Sequence, residues 1–375
     1  MTNANQTIQG IILSGTDRDL PVELPHGMDR YTNFVDMAQG SNAKLRSAWD
    51  TIMGRTIAMK TLLASVALDG RQRRRFLREA RVTAQLQHPN TVPVYEIGND
   101  PVEGIYFTMK RISGENLLEV IKRLSIKDPD TEFAFPLRRL IDIAINVAQA
   151  LAYSHVRGVI HRDIKPENIW VGNFGEVIVL DWGVAKVWGY PDEIEKTEEG
   201  NAAVETPNGG DASLQTSAIE KMSNHSIPVS SSEMNLPQEP LLPVQKEDDP
   251  SVDQLRTLTN NGQRLGTPLY MSPEQVRGNH YVDDRSDIFS LGVVLYEILT
   301  QKEPFRGRNI DETFEFITTW NPPKPSMQAL FRNIPPELDN IVSKAIAKKA
   351  DDRYQSMLDL IADLEAVIDL LPAKK

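Results

Sequence analysis

The sequence predicts an α+β protein of two lobes, a small β-rich N-terminal lobe followed by a larger helical C-terminal lobe. Three observations carry this. Short apolar runs broken by Gly, Asn and Asp fill residues 31–63, 92–97 and 105–112, the pattern of strands. One helical segment, residues 71–86, with Phe76, Leu77, Ala80 and Ala84 facing one way, interrupts those strands. Beyond residue 113 apolar residues recur at i, i+3 and i+4 in 140–155, 288–299 and 357–371, and no internal repeat appears.

Taken in order, residues 1–30 hold an apolar patch (Ile8, Ile11, Ile12, Leu13) and then Pro21, Pro25 and Gly27, which reads as a leader or an extra strand. The first lobe is expected over about 31–112 and the second over about 113–371. The helix at 140–155 places Leu140, Ile141, Ala144, Val147, Ala148 and Leu151 on one face.

Composition narrows the chemistry. Of 375 residues, 40% are hydrophobic and 25% charged, ordinary for a soluble globular chain. The absence of cysteine excludes a disulfide scaffold, a thiolate metal site and a cysteine nucleophile. Six scattered histidines without a His-Glu-x-x-His pair argue against a zinc hydrolase. No apolar run is long enough to span a membrane and no secretory signal is present, so a soluble, cytoplasmic protein is expected.

The net charge of −11 is not evenly spread. Residues 191–253 carry 14 Asp and Glu against three lysines, which is 3 − 14 = −11, so the rest of the chain sums to zero. That stretch has no aromatic residue and is rich in Ser, Thr, Pro, Asn and Glu. Too little apolar surface offsets its ordering entropy, so a disordered acidic insertion is expected there. The neutral remainder offers no basic stripe for nucleic acid.

The densest chemistry is His161-Arg162-Asp163-Ile164-Lys165-Pro166-Glu167-Asn168, followed thirteen residues later by Asp181-Trp182-Gly183. This pair of motifs resembles the catalytic loop and metal-binding triplet of eukaryotic-type (Hanks-type) protein kinases. The resemblance runs from about Tyr31 to Leu371, interrupted by the acidic stretch. Lys165 and the pair Gly266-Thr267 resemble the Ser/Thr-specific branch, and the whole is similar to bacterial Ser/Thr protein kinases, some of which carry Asp-Trp-Gly.

The resemblance implies transfer of the γ-phosphate of ATP to Ser/Thr hydroxyls of proteins, a reaction that asks for positioning and charge neutralisation more than covalent chemistry. Asp163 would orient the attacking hydroxyl and accept its proton, and Lys165 would neutralise the moving phosphoryl group. Asn168 and Asp181 would hold Mg²⁺, or Mn²⁺ in its place, through hard oxygen ligands. Lys60, in Ile57-Ala58-Met59-Lys60, would hold the α- and β-phosphates and pair with Glu79. Met109 would guard the back of the adenine pocket, backbone groups of Lys110 and Ile112 would bond the adenine edge, and Asn116 would contact the ribose. Leu45 would cover the base, and Ala58 is a further cofactor-binding candidate.

Downstream, Glu274 in Ser272-Pro273-Glu274 is expected to pair with Arg353. Asp287 would brace the catalytic loop, and as an N-terminal carboxylate it could also cap its own helix. The individual residues also have bland readings. Asp163 and Asp181 could be turn carboxylates, Lys60 and Glu79 solvated charges, and the insertion a tolerated surface loop. It is the joint pattern that favours the kinase reading.

One part of the pattern is altered. Where the family has three glycines, this chain has Ala38-Gln39-Gly40-Ser41-Asn42-Ala43, with Gly40 alone remaining. Alanines at 38 and 43 add Cβ atoms and disfavour positive φ, so a poorer phosphate cradle is expected. The alternative function is therefore a pseudokinase, a nucleotide-binding scaffold. The insertion lies between Asp181 and Glu274, inside the activation segment, and Arg162 marks kinases regulated by phosphorylation there. Thr257 and Thr259 are the expected autophosphorylation sites, and docking of a basic partner on the acidic stretch is a further expectation.

Overall fold

The computed structural model describes residues 23–187, 268–279 and 282–371. The apolar patch at 8–13, the acidic stretch at 191–253, Thr257, Thr259 and the Gly266-Thr267 pair lie outside them. A short 3₁₀ turn, Gly27–Arg30, leads into the first lobe, where Arg30 bonds Asp50 through two nitrogens at 2.7 Å each.

Five strands make the first lobe: β1 (Tyr31–Gln39), β2 (Ala43–Asp50), β3 (Arg55–Leu62), β4 (Val94–Asp100) and β5 (Gly104–Lys110). They form one antiparallel sheet in the order β1-β2-β3-β5-β4, with the helix α1 (Gly70–Gln85) inserted between β3 and β4. Side chains alternate across such a sheet. Leu62 and Phe107 therefore meet Phe76 and Ala80 of α1 on one face, and Tyr31, Ala48, Ile57, Met59 and Tyr106 pack on the other. Asp69 caps α1 by accepting from the Arg71 and Gln72 amides.

The second lobe opens with β6 (Glu115–Asn116), α2 (Leu117–Ser125), α3 (Pro129–Ala134) and α4 (Leu137–Val156). Short strands follow: β7 (Val159–Ile160), β8 (Ile169–Val171), β9 (Val177–Val179) and β10 (Lys186–Val187). They pair as β6-β8-β9 and β10-β7. Then come α5 (Pro273–Val276), α6 (Arg285–Thr300), α7 (Ile310–Thr319), α8 (Pro325–Gln328), α9 (Pro336–Ala345) and α10 (Met357–Ile368).

Helix α6 is buried on every side from Ser286 to Thr300, the behaviour of a helix that forms the centre of a core. Around it pack α4, α9 and α10. Its N-cap, Asp284, makes no side-chain cap bond, and Asp287 does not bond its own helix either. The capping reading of Asp287 is thus corrected: its carboxylate is turned away, toward the loop after β7.

The lobes meet at the turn before β4. Asn90 donates to the Val177 carbonyl at 2.8 Å and to Asn146 at 3.0 Å, while its own carbonyl accepts from Val179. All described residues belong to one compact unit.

Candidate active site

Two loops of the second lobe and one strand–helix pair of the first converge. The loop 161–168 leaves β7 and enters a 3₁₀ turn, Pro166–Asn168. Within it Lys165 Nζ lies 2.6 Å from Asp163 Oδ2, and Asn168 Nδ2 donates both to the Asp163 carbonyl (2.9 Å) and to Oδ2 (3.1 Å). Burial works against the Lys165 ammonium, but the carboxylates of Asp163 and Asp181 outweigh it and hold its pKa above the usual lysine value.

Asp287 holds this loop from below. Its Oδ2 accepts from the His161 amide and its Oδ1 from the Arg162 amide, both at 2.8 Å, and His155 Nε2 sits 2.8 Å from Oδ2. Arg162 has φ of 68°, a left-handed conformation that a side chain disfavours. Besides the Asp287 bond to its amide, Gln275 Nε2 donates to its carbonyl at 2.9 Å. The strained peptide is thus tied on both sides. Burial raises the Asp287 pKa, and His155, His161 and the amide bonds more than reverse that, so it stays ionised.

The Asp181 loop is registered against the first. The Leu180 amide donates to the Asn168 carbonyl at 2.8 Å, and His161 Nε2 lies 3.1 Å from the Leu180 carbonyl. Asp181 follows with φ of 62° and accepts from the Gly183 amide at 3.2 Å. Trp182 is fully buried against the His161 ring.

From the first lobe, Lys60 of β3 reaches Glu79 of α1 at 2.5 Å. Desolvation pulls the Lys60 pKa down, but Glu79 and Asp181 carry it above the ordinary value, so the ammonium is retained. Asp181 goes the other way: burial raises it, and Lys60, His161 and the Gly183 amide bring it below the usual carboxylate range. The charge pattern of the site is thus a cation between two carboxylates, one on each lobe.

The remaining expected residues fall around this centre. Leu45 on β2 is opposite Lys60 on one side and Ala38 on the other, and Ala58 is opposite Met109. Met109 packs beside the Leu62–Phe76–Phe107 cluster. The Lys110 amide donates to the Pro93 carbonyl at 2.9 Å, so of its two backbone groups only the carbonyl can serve an adenine. Asn116 caps α2 by accepting from the Glu119 amide at 3.0 Å, which leaves its Nδ2 as the group a ribose could meet.

The altered glycine loop behaves differently from expectation. β1 ends at Gln39 and β2 begins at Ala43, so Ala38 and Ala43 are strand residues. No residue from 38 to 43 has positive φ, and the turn is closed by the Gly40 amide on the Ala43 carbonyl at 2.9 Å. The alanines therefore meet no backbone strain here, and the conformational part of the objection to them falls away.

A metal requires oxygen donors, and the geometry supplies two. Asn168 Nδ2 is occupied twice, which turns Oδ1 outward, and Asp181 keeps one oxygen beyond the Gly183 contact. Among the described residues no cluster of three or more His, Asp or Glu can hold a metal by itself. This donor set suits Mg²⁺, which takes one or two protein oxygens and completes its shell with phosphates and water.

Several contributing residues escaped the sequence reading. His155 and Gln275 brace the catalytic loop from separate elements. Tyr270 donates to Glu297 of α6 at 2.6 Å, anchoring the segment that leads to Glu274, and both are buried. No local pattern marks such pairs, since their partners are 27 to 132 residues apart. Glu274 and Arg353 meet as expected, through two bonds of 2.8 Å each.

Comparison with known proteins agrees with this geometry. The family model described as protein kinase domain matches residues 31–206 and 251–362. Serine/threonine-protein kinase PknD of Protochlamydia amoebophila is 30% identical over 350 residues, covering 92% of this chain and 30% of that protein. A probable serine/threonine-protein kinase of Streptomyces coelicolor, SCO3848, is 31% identical over 348 residues, 92% of this chain and 40% of its own length. PknD of Chlamydia pneumoniae is 31% identical over 345 residues, 90% of this chain and 31% of that protein. The chain thus spans 30 to 40% of the length of these curated relatives. No helix among the described residues is long and apolar enough to cross a membrane. With its two lobes and a family match over most of its length, the chain belongs to the protein kinase domain family.

Proposed function

We propose that this chain transfers the γ-phosphate of ATP to Ser and Thr hydroxyls of protein substrates in the cytoplasm, its own activation segment among them. The observation that carries the reading is the closed Lys60–Glu79 pair at 2.5 Å facing Asp181 across the lobes. Phosphoryl transfer depends on such positioned charges.

In this reading Lys60 binds the α- and β-phosphates while Glu79 fixes its position. Asn168 and Asp181 hold Mg²⁺, which when bound neutralises phosphate charge. Asp163 accepts a hydrogen bond from the substrate hydroxyl, turns its lone pair toward the γ-phosphorus and takes up the proton as the new P–O bond forms and the bond from the γ-phosphorus to the β,γ-bridging oxygen breaks, releasing ADP. Lys165, already 2.6 Å from Asp163, neutralises charge on the moving group. The Lys110 carbonyl and the Ile112 amide hold the adenine edge below Met109, with Leu45 and Ala58 on its faces and Asn116 at the ribose. The Ala38–Ala43 turn covers the phosphates through Gly40. Thr257 and Thr259 are the proposed acceptors within the segment.

Transfer from labelled Mg-ATP to the protein itself and to a generic basic protein tests the reading, with Asp163→Asn and Asp181→Asn alongside. Transfer abolished in both variants supports it. No transfer from the parent protein, with Mg-ATP thermal stabilisation that Lys60→Met removes, would replace it by a nucleotide-binding scaffold. Phosphosite mapping after the same incubation tests Thr257 and Thr259.

A further inference from the structure

The peptide that joins Arg162 to Asp163 is held at both of its polar ends. Its N–H, on Asp163, donates to His161 Nδ1 at 3.2 Å, and its carbonyl accepts from Gln275 Nε2 at 2.9 Å. Arg162 has φ of 68°, a conformation that costs energy in a residue with a Cβ, so an unheld chain would gain by turning this peptide. Such a turn would swing the Cα–Cβ bond of Asp163 and with it the carboxylate that faces the substrate hydroxyl.

The carbonyl is held from the far end of the activation segment. Gln275 lies on α5, 113 residues beyond Arg162. Its Oε1 accepts from the Ser272 amide at 2.9 Å. Ser272 Oγ lies 2.9 Å from Ser286 Oγ, and Ser286 donates to Glu274 Oε1 at 2.5 Å. Because the Ser286 proton goes to the carboxylate, Ser272 is the donor between the two hydroxyls. Both serines are fully buried, and Glu274 is paired with Arg353. One line of hydrogen bonds thus runs from the Glu274–Arg353 pair through Ser286, Ser272 and Gln275 to the carbonyl before Asp163.

The link selects its residue type. It needs an acceptor for the Ser272 amide and a donor for the Arg162 carbonyl on one side chain, which only an amide supplies when uncharged groups face it. Glutamate would set a second oxygen against the carbonyl, and asparagine is one methylene shorter.

We propose that Gln275 is a positioning residue for phosphoryl transfer: its amide fixes the peptide plane that aims Asp163, so the seating of the activation segment's end sets the geometry of the base. The catalytic part rests on the phosphoryl-transfer reading, whereas the clamp on the loop does not.

The test uses the full chain and three variants. Gln275→Met removes the donor at similar volume, and Gln275→Glu keeps the acceptor for Ser272 but not the donor. Ser272→Ala removes the side-chain cap of α5 and keeps the backbone N–H that Gln275 accepts. Hydrogen exchange read by mass spectrometry is expected to show the amides of 161–164 exchanging about fivefold or more faster in both Gln275 variants, with α4 and α10 unchanged. In phosphate transfer to a generic basic protein, kcat should fall about tenfold or more while KM for Mg-ATP stays within about threefold, since a misaimed base slows transfer without loosening the nucleotide. Ser272→Ala should move both readouts less than Gln275→Met does. Parental exchange at 161–164 in the Gln275 variants overturns the proposal, and so does faster exchange spread across the whole second lobe. Faster local exchange with parental kcat overturns it too, leaving a structural bond alone, as does Ser272→Ala matching Gln275→Met. If the parent protein transfers no phosphate, the phosphoryl-transfer reading fails and takes the catalytic role of Gln275 with it, while the exchange result still decides the clamp.

Discussion

Replacing Glu274 by Gln tests the electrostatics that anchor the end of the activation segment. Glu274 sits on α5 and meets Arg353 through two bonds of 2.8 Å, with the Arg353 side chain fully buried and that of Glu274 13% exposed. Burial alone would raise the Glu274 pKa, but the Arg353 guanidinium and the Ser286 hydroxyl bring it from 4.5 to about 2. The fall from 4.5 to about 2, at 1.36 kcal/mol for each tenfold change in acidity, corresponds to about 3 kcal/mol favouring the ionised form. Removing one partner also strands the other charge, which puts the cost of Glu274→Gln at about 3–5 kcal/mol. The native pKa is depressed, so this stability is present above the unfolded value near 4.5 and is lost as pH falls toward about 2. Urea unfolding followed by tryptophan fluorescence, at neutral pH and at about pH 3, would compare parent, Glu274→Gln, Arg353→Met and the double variant. The expected gap between parent and Glu274→Gln is about 3 kcal/mol or more at neutral pH and less than half of that at the acid end. A neutral-pH gap under about 1 kcal/mol, or one unchanged by acid, would refute the reasoning.

Three further outcomes follow from the same kind of accounting. Burial pushes Glu297 up to about 7, so the native state holds a proton there that the unfolded chain releases near 4.5. Stability relative to Glu297→Gln should therefore decline by up to about 3 kcal/mol from pH 5 to pH 8, and parallel thermal-melt profiles for the two proteins would contradict this. Asp287→Asn puts an amide against the His161 and Arg162 donors, and should cost about 2–4 kcal/mol in urea unfolding together with a fall in the rate of phosphate transfer. Equal stability and equal rate would show that the loop is held by something else. Gly114 has φ of +124° and a Cβ there would lie 2.1 Å from the Val171 carbonyl, so Gly114→Ala should destabilise by about 3 kcal/mol or more, read from the same unfolding curves.

Long, periodic elements were legible in the sequence. The helical pattern at 140–155 appears as Leu137–Val156, that at 288–299 as Arg285–Thr300, and the strand-like run at 105–112 as Gly104–Lys110. The strands β6, β7, β8 and β10 were not legible, because two or three residues show no periodicity. They nonetheless set the catalytic loops, since β8 pairs with β9 just before Asp181 and β7 leads into His161. The backbone of the altered glycine loop was not legible for a related reason. Residue type bears on strain only through φ, and the φ values at 38–43 are set by the β1–β2 hairpin.

The sequence by itself carried the two-lobed α+β expectation, the motifs that contain Lys60, Glu79, Asp163, Lys165, Asn168 and Asp181, and the concentration of negative charge in 191–253. These follow from local composition and from short motifs whose spacing survives in one dimension. Only the tertiary structure decided that Asp287 braces the catalytic loop rather than capping its helix, that His155 and Gln275 share that task, and that Tyr270 is buried against Glu297. Each is a contact between residues far apart in the chain. A buried polar group must find a partner wherever folding brings one, and sequence spacing does not encode that choice.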